Sequence, residues 1–366
     1  MLAKSSVRCG VLTAVAAAAI GCGTGGGTLS GAAGAGTGGD GTIPIPTGSG
    51  GGAGAAGSIM TGAAGNGDTC VETRPAVAKL VPDVLIVLDT ASSMNDPISS
   101  GTTVSKWMTS VNAINANVGS SGTQINWGLS FIASDVDACD AGGIAVPVDS
   151  SWGIRDALAS HTNGGMLSVI GYRPTRAAIN LAAAYLSGRG VGHAPAILLI
   201  TDGLPGCAPG TSDLLYDDTV GVVRAVGDAF AAGISTYVIG LATSDGSADA
   251  SLNRIASAGG VARNATPTYY PASGIIDFMT AMAAVSATAD CAFELPPLPS
   301  TDGSSSREYI RVMTDSGPIL QDAENGWTYT DNTHTGIRLH GSSCDASHAG
   351  APTYVTIICH PGLASP

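Results

Sequence analysis

Two apolar runs, each closed by an aspartate, constrain this chain more than any other feature. Val84–Leu88 reads VLIVL and is followed by Asp89; Ala196–Thr201 reads AILLIT and is followed by Asp202. Short runs without polar alternation are strands buried on both faces, which a parallel sheet covered by helices provides. The intervening segments carry helical signals. Trp107, Val111, Ile114 and Val118 fall at spacings of four, three and four and make one stripe of a helix. Pro174 opens the helical stretch Thr175–Leu186, where its missing N–H is harmless. Val220–Ala232 reads as a helix stopped by Gly233, Ala250–Ala258 and Gly274–Ala287 as two more, and Ile125–Ala133 and Ile234–Leu241 as strands. The alternation predicts an α/β fold: a doubly wound, mainly parallel sheet with helices on both faces. After Cys291 the character changes at Phe293-Glu294-Leu295-Pro296-Pro297. The runs EYIRVM, NGWTYT, TGIRLH and TYVTIIC then predict short strands of a small β-rich C-terminal module.

The N-terminus has another character. Lys4 and Arg8 precede the apolar run Val11–Ile20, which is too short to span a bilayer but suits the core of a secretory signal. It ends in Ala19-Ile20-Gly21-Cys22, which resembles the lipobox of bacterial lipoproteins. That resemblance implies cleavage before Cys22, acylation of Cys22 and anchoring in outer-membrane lipid; the alternative is an ordinary signal peptide. Position 23 is Gly and not Asp, which in such lipoproteins is compatible with sorting to the outer membrane. Residues 23–69 are mostly Gly, Ala, Ser and Thr. Such a segment buries too little apolar surface to offset its ordering entropy and is expected to be a flexible tether reaching about 35–40 Å. The expected organisation is therefore a signal and lipobox over 1–22, a tether over 23–69, an α/β domain over 70–291 and the β-rich module over 292–366.

Net charge is −13 with only three lysines, which argues against a phosphate backbone as partner, so no nucleic acid is expected. Six cysteines follow the lipobox: Cys70, Cys139, Cys207, Cys291, Cys344 and Cys359. An even number in an exported chain reads as disulfides, and no CxxC pair supports a zinc ribbon. Of the many connectivities, the expected one is Cys70–Cys291 closing the domain's base, Cys139–Cys207 joining two loops, and Cys344–Cys359 as a local bridge.

The combination of VLIVLDxxxSM, a later Gly-x-x-Pro-Thr before a helix, and ILLITDGxP resembles the von Willebrand factor type A domain over residues 81 to about 290. In that family a metal-ion-dependent adhesion site binds a divalent cation through an Asp-x-Ser-x-Ser loop, a Thr on a second loop and an Asp on a third. The chemistry is that of a hard octahedral ion with oxygen ligands and one position left for a partner's acidic group. The resemblance assigns Asp89, Ser93 and Asp202 to this set. The first serine has become Ala91, which offers no oxygen, and Gly171-Tyr172-Arg173-Pro174-Thr175 puts Arg173 where the coordinating Thr would stand. Ser92 lies at the wrong spacing to replace it, and Thr175 approaches only if the loop shifts against the stiff Pro174. The expectation is that the Arg173 guanidinium takes the ion's place between Asp89 and Asp202. No cofactor is expected; Mg²⁺ or Ca²⁺ is what the remaining oxygens would take, weakly, if they take anything.

Other motifs carry less. Asp135, Asp137 and Asp140 lack the spacing, glycine and terminal glutamate of an EF-hand and read as a solvated loop. SGRGVG, residues 187–192, precedes a strand and reads as a plain connection. The six histidines read as surface-polar, with no cysteine or carboxylate partner at ligand spacing. No Walker A, GxSxG or HExxH motif is present, so an enzyme is not expected. The sequence thus points to a lipid-anchored, exported protein-binding module for adhesion or scaffolding, its protein ligand unidentified, acting through loops 89–96, 171–175 and 202–207. A metal-dependent adhesin, a structural envelope protein and, least favoured, an enzyme on a doubly wound sheet are the rival readings.

Overall fold

The computed structural model describes residues 77–120, 125–133, 139–168, 170–189, 193–207, 216–243, 246–295, 310–330 and 334–357. The expectations for the signal and Cys22, the tether, Cys70, Asp135, Asp137 and Cys359 fall outside them. The strands are β1 (Ala78–Lys79), β2 (Val81–Leu88), β3 (Asn126–Phe131), β4 (Ile144–Val146), β5 (Thr162–Asn163), β6 (Met166–Leu167), β7 (His193–Thr201), β8 (Ser235–Leu241) and β9 (Tyr270–Ala272). Beyond them come β10 (Ala292–Glu294), β11 (Ile310–Thr314), β12 (Gly317–Ile319), β13 (Trp327–Tyr329), β14 (Gly336–Leu339) and β15 (Thr353–Ile357). The helices are α1 (Lys106–Ser120), α2 (Ile154–Ser160), α3 (Thr175–Ser187), α4 (Thr219–Ala231), α5 (Gly246–Ala258), α6 (Ile275–Ala289) and α7 (Gly341–His348).

The main sheet has the order β4-β3-β2-β7-β8-β9. All its pairings are parallel except that of the edge strand β4 with β3. Side chains alternate across a strand, so the central runs feed two cores at once. Val84, Ile86 and Leu88 of β2, with Leu198 and Ile200 of β7, point to the side covered by α1, α2 and α6. Leu85 and Val87, with Ile197 and Leu199, point to the side covered by α3, α4 and α5. This is why the two runs show no polar alternation: every position meets a helix. Trp107, Val111 and Ile114 of α1 enter the first core, and Ala178, Ile179, Ala182 and Leu186 of α3 the second. Each large side chain fully buried this way contributes about 1.5–3 kcal/mol. Among the described residues, no helix is long and apolar enough to cross a membrane.

The C-terminal segment adds two antiparallel sheets, β1-β10-β14-β13 and β12-β11-β15. They enclose one small core of Phe293, Leu295, Val312, Trp327, Ile337, Leu339 and Val355, with the bridge Cys291–Cys344 in it. β1 reaches this sheet from ahead of the main sheet, pairing Ala78 with Glu294 and Lys79 with Phe293. Arg338 of β14 is buried and donates from Nη1 to the Tyr237 hydroxyl and the Thr288 carbonyl, each at 3.1 Å, tying this sheet to the amino end of β8 and the end of α6. The segment expected to be all β also holds α7, whose sequence GSSCDASH has no apolar stripe to announce it.

Two disulfides are formed among the described residues. Cys139–Cys207 joins the loop after β3 to the loop after β7. Cys291 pairs with Cys344, Cα to Cα 5.6 Å, which overturns both Cys70–Cys291 and Cys344–Cys359. The cause is the β10–β14 pairing, Ala292 opposite Arg338, which brings the start of α7 over the residue just ahead of β10. Proximity in sequence between Cys344 and Cys359 did not reflect this ladder.

Candidate functional site: two carboxylates at the strand-order reversal

The strand order reverses between β2 and β7, and in open α/β sheets the crevice beyond the carboxyl ends at such a point is where ligands sit. Asp89 leaves β2 there, its backbone N–H donating to the Ile200 carbonyl at 2.9 Å, and Asp202 leaves β7 beside it. Both carboxylate side chains are cut off from solvent, at 0% and 1% exposure. Two such like charges are stable only when neutralised and hydrogen-bonded.

Arg173 lies between them. Its Nε donates to Asp89 Oδ2 at 2.9 Å, and its Nη2 donates to Asp202 Oδ1 and to the Ser93 hydroxyl. Ser93 in turn donates to Asp202 Oδ1 at 2.9 Å. The loop holding Arg173 is set by backbone bonds: Gly171 N–H to the Thr90 carbonyl, and the Arg173 carbonyl accepting from Gly206 and Thr175. Gly203 leaves the space the guanidinium needs, since a Cβ there would stand 2.9 Å from Nη1 and 3.1 Å from Cζ. Thr175 turns its hydroxyl back to the Arg173 carbonyl at 3.4 Å, and Ser92 is exposed. Ala91 supplies no side-chain oxygen, yet its backbone N–H donates to Asp89 Oδ1 at 2.8 Å. Thr201 completes the set with a 2.5 Å bond to Asp89 Oδ2.

A second cation, missed from sequence, stands on the other side. Lys106 Nζ donates to Asp202 Oδ2 at 2.8 Å, its side chain 11% exposed. It heads α1, and its backbone N–H closes the 89–96 loop by donating to the Asp96 carbonyl at 2.9 Å. A lysine at the first position of a helix opposes the helix dipole, so its placement there was a signal of another partner. Asp89 and Asp202 thus face Arg173 and Lys106, two negative charges against two positive. Burial works against the Arg173 charge, but the attraction of Asp89 and Asp202 wins and raises its pKa above the ordinary value. Burial would also raise Asp202; the Arg173 charge and the Lys106 bond outweigh it and hold its carboxyl below the usual range.

A hard divalent ion here would find carboxylate oxygens on Asp89 and Asp202 and one hydroxyl on Ser93. It would have to displace two cations already bonded to those groups. That donor set does not fit an ion wanting near-octahedral oxygen coordination.

Elsewhere the histidines divide. Asp83, buried at the amino end of β2, accepts from Asn126 Nδ2 and Arg189 Nε at 2.8 Å and meets His193 Nδ1 at 3.1 Å. His348 lies 3.5 Å from the Cys291 sulfur. His193 and His348 therefore do have carboxylate and cysteine neighbours, which come from segments distant in sequence.

No family model matches the sequence, and no curated protein matches it. Among solved structures, the conserved hypothetical protein BatB from Bacteroides thetaiotaomicron is similar with TM-score 0.38 and 19% identity over 56% of this chain and 95% of that one. The PilB minor pilin from Streptococcus sanguinis gives 0.40 and 15% over 58% of this chain and 62% of that one. The vWF domain of the type V pili tip protein Mfa5 from Porphyromonas gingivalis gives 0.42 and 12% over 57% and 95%. The class is set by topology: a doubly wound α/β sheet with one antiparallel edge strand and helices on both faces, followed by small antiparallel sheets.

Proposed function

We propose that this protein is an exported, lipid-anchored module that binds a protein partner for adhesion or scaffolding and does so without a divalent ion. The surface used is the set of loops 89–96, 171–175 and 202–207, and no chemistry is catalysed there. One observation carries this reading: Arg173 bonds Asp89 and Asp202 together where a bridging ion would otherwise be needed. Lys106 and the Cys139–Cys207 bridge support it by fixing the same loops from two further sides. A loop surface held by internal charges and a covalent tie is pre-organised, which lowers the ordering cost of recognition. The anchor through Cys22 rests on the lipobox-like sequence.

The test is a pull-down with the full chain from cell-envelope extract, in chelator and in Mg²⁺, repeated with Arg173→Glu and with Asp202→Lys. Capture that persists in chelator and is lost in both variants is the expected result. Stoichiometric Mg²⁺ or Mn²⁺ binding in a calorimeter would overturn the metal-free site. Absence of any partner would favour a purely structural envelope role.

A further inference from the structure

A second cluster of chemistry-bearing side chains sits at the opposite end of the main sheet, where α6 ends and β10 begins. Cys344 and His348 are one turn apart on α7 and share a face of it. That face packs on Asp290 and Cys291. The Cys291 sulfur is 3.5 Å from His348 Nε2, and His348 Nε2 is 3.4 Å from Asp290 Oδ2. The two sulfurs and Nε2 all lie within 4.8 Å of one another. A cavity of about 380 Å³, lined by Lys79, Ile125, Ser286, Asp290, Ser347 and His348, opens onto the cluster. Both cysteines are buried, and His348 is its solvent-facing member.

We propose that reduction of the Cys291–Cys344 bond converts this cluster into a zinc site, with the two thiolates and His348 Nε2 as protein ligands and water in the fourth position. Tetrahedral zinc with bonds of about 2.3 Å to sulfur and about 2.0–2.1 Å to nitrogen sets a ligand edge of about 3.5 Å for S···N. The separation of the Cys291 sulfur from His348 Nε2 already has this length. The sulfur–sulfur edge does not, because the two atoms are bonded, and a disulfide sulfur carries no thiolate charge to offer a metal. The bond must therefore break first. A dithiol or phosphine reductant supplies two electrons, leaving two thiols and the oxidised reductant. Zn²⁺ then displaces the two thiol protons to solvent. The product, one ion with two thiolates and a neutral imidazole, carries no net charge. Asp290 stays outside the ligand set with Lys79, whose ammonium donates to its Oδ2 at 2.5 Å. α7 is thus tied to the start of β10 in both states, covalently when oxidised and through the ion when reduced.

The test is titration of the full chain with Co²⁺ as the spectroscopic stand-in for zinc, before and after reduction by a phosphine without oxygen. The expected result is one equivalent bound by the reduced protein, with tetrahedral d–d bands and thiolate-to-cobalt charge transfer, displaced by Zn²⁺, and none by the oxidised protein. His348→Ala is expected to weaken binding at least about tenfold, the least that loss of even an outer partner costs. The double change Cys139→Ser, Cys207→Ser is expected to leave binding unchanged. Absence of the charge-transfer band, unweakened binding by His348→Ala, or a band that disappears with Cys139 and Cys207 would each overturn the proposal. So would loss of the native circular dichroism in the reduced, Co²⁺-loaded protein, because the site requires the fold.

Discussion

Replacing Arg173 by methionine keeps most of its volume and removes its charge from between two buried carboxylates. Breaking a buried ion pair by deleting one partner costs about 3–5 kcal/mol. Here the remaining contacts reduce that figure: Lys106 still holds Asp202, and Thr201 and the Ala91 N–H still hold Asp89. The Arg173 side chain is also 21% exposed, so water screens part of the interaction. The expected loss is therefore about 2–3 kcal/mol at pH 7. Urea unfolding followed by tryptophan fluorescence measures it, since Trp107 and Trp127 are buried at 0% and 1% exposure. The pH dependence sharpens the test. In the wild type the Asp202 carboxyl is lowered by Arg173 and Lys106, so its contribution is complete above the unfolded value of about 3.9 and is lost as pH falls through the folded one. In the variant Asp202 loses the Arg173 charge that lowers its pKa, so it takes up a proton at higher pH and relieves its repulsion with Asp89. The stability gap between the two proteins should narrow steadily from pH 7 towards pH 4. A gap under about 0.5 kcal/mol at pH 7, the size of an ordinary surface change, or one that stays constant on acidification, would refute the reasoning.

Three further outcomes follow from the same geometry. The triple variant Ala91→Ser, Lys106→Met, Arg173→Thr should bind one Mg²⁺ by calorimetry, whereas leaving Lys106 in place should weaken binding at least tenfold, its ammonium being 2.8 Å from Asp202 Oδ2. Gly203→Ala should lose about 1–2 kcal/mol by pushing on the guanidinium, and that loss should vanish in the Arg173→Met background, where the clash is gone. Arg338→Met should lose about 1–3 kcal/mol in the same unfolding assay, because the buried Tyr237 hydroxyl and the Thr288 carbonyl lose their donor.

The central strands were readable in the sequence because both of their faces are covered, so VLIVL and AILLIT needed no alternation to be recognised. Helix ends were less so. α5 begins at Gly246, ahead of the expected Ala250, because its first turn GSAD carries no apolar run to mark it. The edge strands β4 and β9 have only three residues each, too few to show a period. The nearness of Asp89 and Asp202 could be inferred from the strand ends of an open α/β sheet, and that of Arg173 from the family resemblance, which put it where a coordinating Thr would stand. Lys106 could not, since its place depends on a backbone bond that closes the loop from Asp96. The Cys344–His348 spacing lay in plain view, but its partner Cys291 comes from 53 residues earlier than Cys344, and only the β10–β14 ladder brings it there.

The position of β2 has a mechanical consequence. The Asp89 loop hangs from its carboxyl end, and the chain arrives at its amino end through β1, with the Val77 N–H held by the Thr353 carbonyl. A pull on the chain at residue 77 against the body of the sheet is directed lengthwise along this one strand. β2 is laced to β7 from Val81 opposite His193 to Leu88 opposite Ile200, and to β3 from Asp83 opposite Asn126 to Leu88 opposite Phe131. Force along that axis loads both ladders in shear, so their bonds share it and do not open one after another. The two-residue pairing of β1 with β10 is the weaker link and would give way first, leaving the strand that presents Asp89 still clamped on both sides.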